Sequence, residues 1–274
     1  MNRMQLGLIV GISDDPRASF ERVLEVGIPT CQVACSAEHL VGKLNPDRIR
    51  AAAEATGIAI TSIFLGFNGQ VYDNHRGPST MGLVPLAFRQ ERLALAKRFS
   101  DTVREIGVPS VFSHIGFIPD DENDPLYVSF IEVMKELVGH CGANGQTFCF
   151  ETGQELPSTL KRTIRDIGMG NVGINFDPAN LVLYGKANPI DAVEIFGEYV
   201  KGMHAKDGVW PNRDEYLGHE TPLGQGMVRF DLVIPRLKKR GFRGPITIER
   251  EISGPQQKAD ILKAKELLAP FLDL

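Results

Sequence analysis

The side chains best suited to chemistry in this chain stand near the ends of short apolar runs. QTFCFET approaches its end at Glu151, NVGINFD closes on Asp177, VKGMHAKD carries His204, and GPITIER carries Glu249. Alternate side chains on a strand face opposite ways. Phe148 and Phe150 therefore oppose Thr147, Cys149 and Glu151, while Val172, Ile174 and Phe176 oppose Gly173, Asn175 and Asp177. Met203 and Ala205 oppose Gly202, His204 and Lys206, and Ile246 and Ile248 oppose Thr247 and Glu249. The bulky apolar sets must pack on other elements, so the small and polar sets share an interior whose rows end in Glu151, Asp177, His204 and Glu249. Three carboxylates and an imidazole brought that close would force some of their number neutral, and a lone charge is costly to bury. One divalent ion resolves the conflict. Three oxygen donors and one nitrogen suit Mn, Mg or Co better than Zn, whose structural sites favour thiolates.

Each of the four has a plainer role when taken singly. Asp177 precedes Pro178 and could start a turn or cap a helix, and a glutamate at a strand end is often a salt-bridge partner. The metal reading comes from all four facing inward together. His114, near the end of PSVFSHIG, and Lys206 share the inward parity. His114 is expected either to contact substrate or to be a satisfied core histidine, and Lys206 either to polarise a substrate oxygen or to pair with a ligand carboxylate. Glu251 lies one pleat beyond Glu249 and reads as a rim residue.

Positioning these groups requires strands that end at one mouth. Eight candidate strands occur, at 5–12, 30–35, 58–66, 109–116, 146–152, 171–177, 200–207 and 244–250, with helical patterns between them. Gly27, Gly57, Gly107, Gly168 and Gly241 punctuate the helix ends. A strand–helix unit of roughly 30 residues repeated eight times is the arithmetic of an α/β fold of the (β/α)8 TIM barrel type. No G-x-G-x-x-G or P-loop follows a strand, which disfavours a doubly wound sheet. The segments after strands three and seven are long for such connections and fall on the catalytic face, where lids are expected. Tyr72, His75, Trp210 and Tyr216 lie in them.

The chain has 274 residues, 43% of them hydrophobic and 23% charged, with a formal net charge of −4. That is the profile of a globular protein, expected as one domain over residues 1–274. The first apolar run is too short to span a bilayer and lacks a cleavage pattern, so a cytoplasmic protein without membrane contact is expected. The basic residues cluster only at Lys238, Lys239 and Arg240, which argues against a nucleic-acid partner. Cys31, Cys35, Cys141 and Cys149 are expected reduced and apolar in environment. No lysine or arginine cluster marks a phosphate pocket, although Lys186, Arg89 and Arg250 could each supply part of one.

FETG at 150–153, NFDPAN at 175–180, HAKD at 204–207, TIERE at 247–251 and GQG at 224–226 resemble the sugar phosphate isomerase/epimerase family of xylose isomerase-like TIM barrels. The resemblance spans nearly the whole chain and implies that Glu151, Asp177, His204 and Glu249 ligate one divalent ion. Glu151 and Glu249 would double as an acid/base pair, and relatives often form homo-oligomers. It departs from the three-zinc endonuclease branch, which has a histidine where Asn180 stands and an Asp-x-His pair after strand seven. It departs also from the ketohexose 3-epimerases, which carry histidine at that place and an arginine shortly after the strand-seven histidine, for which Arg213 is a loose match; Asn180 is expected to contact substrate. The implied activity is isomerisation or epimerisation of a carbohydrate, free or phosphorylated. Alternatives are dehydration of a keto-cyclitol or keto-sugar, a non-catalytic sugar-binding barrel, and a nuclease.

Overall fold

A computed structural model describes residues 4–213 and 216–272. Its strands are β1 (Leu6–Gly11), β2 (Thr30–Ser36), β3 (Ala59–Gly66), β4 (Ser110–Ser113), β5 (Thr147–Glu151), β6 (Val172–Phe176), β7 (Val200–Ala205), β8 (Asp207–Val209), β9 (His219–Thr221) and β10 (Ile246–Ile248). β1 to β7 and β10 close into a parallel barrel in the order β1-β10-β7-β6-β5-β4-β3-β2. All eight expected strands are present, and helices follow them as the alternation predicts. β8 and β9 form an antiparallel hairpin within the long segment after β7.

The alternation places bulky groups between barrel and helices. Phe148 and Phe150 meet edge to face, their ring centroids 5.5 Å apart, and Phe176 meets Phe196 of the helix Pro189–Phe196 at 5.4 Å. Both geometries suit the aromatic quadrupole. Small residues on the other parity let the strands approach near the axis. A Cβ on Gly7 would lie 3.0 Å from the hydroxyls of both Thr247 and Thr30.

Several helices start with an amide or carboxylate cap followed by proline, at Asn45-Pro46, Asp124-Pro125, Asp177-Pro178 and Asn188-Pro189. The side chain accepts an otherwise orphaned backbone N–H, and proline loses nothing at the first helical position. Gly57 and Gly107 end their helices at φ 69° and 90°, a region that disfavours side chains. The segment after β3 is braced by two buried arginines. Arg89 donates through Nε to the Leu83 carbonyl at 2.8 Å and through Nη2 to that of Val84, while Arg92 donates to Thr80 and Gly82 at 2.7 and 2.8 Å. Arg89 is therefore occupied in holding a loop. The four cysteines are free thiols; three are buried and Cys35 is half-buried. No described helix is long and apolar enough to cross a membrane.

Candidate metal and substrate site

Glu151 ends β5, Asp177 follows β6, His204 lies in β7 and Glu249 follows β10. Each contributes one ligand-type atom to a group in which all such atoms lie within 4.8 Å of one another. His204 Nδ1 is 2.9 Å from Glu151 Oε1, 2.7 Å from Glu249 Oε2 and 3.7 Å from Asp177 Oδ2. None of these approaches has hydrogen-bond geometry. Nδ1, Asp177 Oδ2 and Glu249 Oε2 are buried atoms without a hydrogen-bond partner, and such orphans are expensive. The other edge of each group is engaged. Asp177 Oδ1 caps the helix Pro178–Leu183 by accepting from Asn180 N at 3.0 Å, so the capping role and an inward-facing oxygen belong to one side chain. His204 Nε2 lies 2.7 Å from Gln32 Oε1, an oxygen that can only accept. The proton therefore sits on Nε2, and in neutral imidazole that leaves the Nδ1 lone pair aimed among the carboxylates. Asn175 donates to Glu151 Oε2.

The donor set fits one divalent ion: oxygens and one nitrogen, mutually close, with unpaired atoms of Asp177, His204 and Glu249 gathered beside Glu151. Without an ion, their charges perturb one another. Burial, with repulsion from Asp177 and Glu249, raises the Glu151 carboxyl to about 7 despite attraction from His204. Burial also opposes ionisation of Glu249, but Lys206 and His204 outweigh it and hold that carboxyl well below the usual range. Burial disfavours the charged forms of His204 and Lys206, yet the surrounding carboxylates keep both unusually basic.

Next to this group, adjoining it through Asn180 and Lys206, lies a cavity of about 550 Å³ walled by Phe64, Tyr72 and Tyr184 and reached by His114 and Glu251. Lys206 Nζ is 2.7 Å from Glu251 Oε1, 3.3 Å from Asn180 Oδ1 and 3.6 Å from Glu249 Oε1. The lysine thus faces the cavity and pairs with carboxylates at once. Burial, aided by repulsion from Lys206, lowers His114 to about 3. Its imidazole is neutral, held between the edges of Phe64 and Tyr72 and 3.3 Å from Gln154 Nε2. A Gln154 donor at Nδ1 leaves the His114 Nε2 hydrogen as a donor.

Of the loop aromatics, Tyr72 reaches the cavity; His75, Trp210 and Tyr216 are absent from its lining. Tyr216 is exposed and Trp210 packs on the core. Glu251 is at the rim, as its parity implies, and is also the nearest carboxylate to Lys206. Sequence reasoning passed over Gln32 and Gln154. Gln32 left a signal as the one strongly polar side chain in TCQVAC; Gln154 left none.

Residues 20–270 match the family described as xylose isomerase-like TIM barrel. A xylose isomerase domain protein from Planctomyces limnophilus is 37% identical, with a TM-score of 0.92 over 98% of this chain and 97% of that one. A xylose isomerase-like TIM barrel protein from Mycobacterium smegmatis, solved in complex with magnesium, is 18% identical with a TM-score of 0.73 over 98% and 96%. A D-psicose 3-epimerase is 15% identical with a TM-score of 0.73 over 98% and 99%. An uncharacterized protein of Methanocaldococcus jannaschii is 28% identical over 119 residues, 43% of this chain and 37% of that protein's length. With the closed barrel and the match over residues 20–270, the chain belongs to the xylose isomerase-like TIM barrel family.

Proposed function

We propose that this protein is a divalent-metal-dependent isomerase or epimerase of a carbohydrate, with Glu151, Asp177, His204 and Glu249 as the metal ligands. The observation that carries the reading is the set of three unpartnered buried atoms, Asp177 Oδ2, His204 Nδ1 and Glu249 Oε2, gathered with Glu151 beside a cavity. The solved epimerase with the same fold supports it. An ion there, with manganese, magnesium or cobalt favoured over zinc, supplies Lewis-acid polarisation to adjacent carbonyl and hydroxyl oxygens.

The chemistry left to the protein is proton transfer at carbon. A proton beside a carbonyl is about 15 pH units less acidic than a glutamic acid, so a bare carboxylate faces roughly 20 kcal/mol uphill. Stabilising the developing enediolate is therefore decisive. Lys206 offers a buried ammonium and His114 a neutral N–H, both lining the cavity. Glu151 and Glu249 serve as the acid/base pair, one taking a proton and the other returning one to a different face or carbon. Asn180 lies between Glu151 and Lys206, at 3.5 and 3.3 Å, and orients substrate hydroxyls. Tyr72 and Tyr184 wall the ring and exclude water.

Solvent-hydrogen exchange into ketoses tests this. Wild-type protein should incorporate deuterium at the carbon beside the carbonyl, and Glu249→Gln should keep the fold and lose at least 100-fold in exchange rate. Unchanged exchange in that variant would falsify the acid/base assignment.

A further inference from the structure

The loops after the last two barrel strands are where TIM barrels commonly bind phosphate, using backbone N–H groups and a helix N-terminus. In this chain backbone N–H groups of both loops are already filled by its own carboxylates, while the helices Phe230–Lys239 and Pro255–Leu268 start without a side-chain cap. After β7, Asp207 Oδ1 accepts from Gly208 N and Val228 N at 2.9 and 3.0 Å, and Oδ2 from Gly224 N and Gly226 N at 2.9 and 3.0 Å. The nest is closed around it: a Cβ on Gly226 would lie 2.2 Å from Asp207 Oδ1. After β10, Glu220 of the hairpin accepts from Glu251 N at 3.1 and 3.0 Å through its two oxygens. Its Oε2 also receives Arg250 Nη1 at 2.9 Å, and Arg250 Nε goes to Asp260 at 2.9 Å. Lys206, the one cation among the described residues that line the cavity, is matched by Glu251. Arg89 and Arg92 are spent on loop carbonyls.

We propose that Glu220 is a specificity residue: its carboxylate fills the barrel's anion position beside the cavity and restricts the site to uncharged sugars, turning away phosphate esters. The substrate part of this rests on the isomerase/epimerase reading; the occupancy of the anion position does not. A phosphoryl group entering there would meet Glu220 and Glu251 together, with Arg250 and the Glu251 N–H already taken. Glu220→Ala frees both donors, and Glu220→Gln removes the charge that holds Arg250 while keeping one acceptor oxygen.

Two measurements decide it. Titration calorimetry with inorganic phosphate should give a dissociation constant at least tenfold lower for Glu220→Gln and Glu220→Ala than for wild type. Equal affinities in all three, with the variants folded by circular dichroism, overturn the proposal. On wild type alone, a free ketohexose should raise the thermal midpoint, and the same ketohexose bearing a terminal phosphate should do so only at concentrations at least 100-fold higher. Equal or better stabilisation by the phosphate ester overturns the proposal even if both variants fail to fold. Absence of ketose exchange in wild type, with a tenfold gain in phosphate affinity in the variants, would sink the isomerase/epimerase reading while leaving the occupancy of the anion position by Glu220 intact.

Discussion

Replacing Gln32 by leucine should weaken metal binding more than it weakens the fold. Gln32 Oε1 accepts from His204 Nε2 at 2.7 Å, which fixes the tautomer that leaves Nδ1 free to bind an ion. Asn175 Nδ2 stands 2.9 Å from the same Nε2. Once the glutamine is gone, the metal-free ring can shed its Nε2 proton, accept from Asn175 there and keep its proton on Nδ1, facing the carboxylates. An ion must reverse that tautomer and leave a buried Nε2–H without an acceptor. An unsatisfied buried donor costs about 1–3 kcal/mol, and the penalty falls almost wholly on the loaded state, so the dissociation constant should rise about 10- to 100-fold. The metal-free protein should lose less than the loaded one, because Gln32 Nε2 is itself a buried orphan that leucine removes and Asn175 can donate to a deprotonated Nε2. Gln32→Glu, which keeps the acceptor, should retain affinity. Manganese titration followed by electron paramagnetic resonance measures the affinity, and calorimetry of the metal-free protein its stability. An affinity loss under twofold, or parallel losses of affinity and metal-free stability, would refute the reasoning.

Other outcomes follow from single contacts. Burial pushes the Glu155 carboxyl up from 4.5 to about 8, and its Oε1 has no hydrogen-bond partner. With the folded value raised, the contribution of Glu155 is fully present below about pH 4.5 and is lost as pH climbs through 8, so Glu155→Gln should gain on wild type across that window. The gain should reach a few kcal/mol in urea unfolding at alkaline pH, at 1.36 kcal/mol per pH unit; a constant difference between the two proteins from pH 5 to 9 would contradict it. Lys206→Met should lower kcat for ketose exchange about 100-fold through loss of enediolate stabilisation, and a change confined to KM would assign the lysine to binding alone. Gly7→Ala should cost about 1–3 kcal/mol, because its Cβ would sit 3.0 Å from two threonine hydroxyls; an unchanged thermal midpoint would show that the axis has slack.

The barrel was legible because its strands repeat a simple rule, bulky outward and small or polar inward, and glycines close the helices. That parity alone brings Glu151, Asp177, His204 and Glu249 to one point from four separate strands. The hairpin of β8 and β9 was not legible: its strands are three residues each and carry no apolar alternation. Nor could composition reveal where long side chains end. Arg89 and Arg250 are available to a phosphate on paper, but one holds loop carbonyls and the other holds Glu220 and Asp260. Gln32 meets His204 across 172 residues of chain, a pairing set by closure of the barrel and invisible to any local pattern. Parity indicates which way a side chain points; its hydrogen-bond partner depends on register between strands distant in sequence.

The most direct test is the stoichiometry of manganese bound by protein stripped with a chelator. One ion per chain should bind, and Asp177→Asn, which keeps the Oδ1 cap and weakens the inward oxygen, should bind it at least tenfold more weakly while remaining folded. Manganese that stays free from the first addition, or one ion held equally well by both proteins, would contradict a metal centre built from these four side chains.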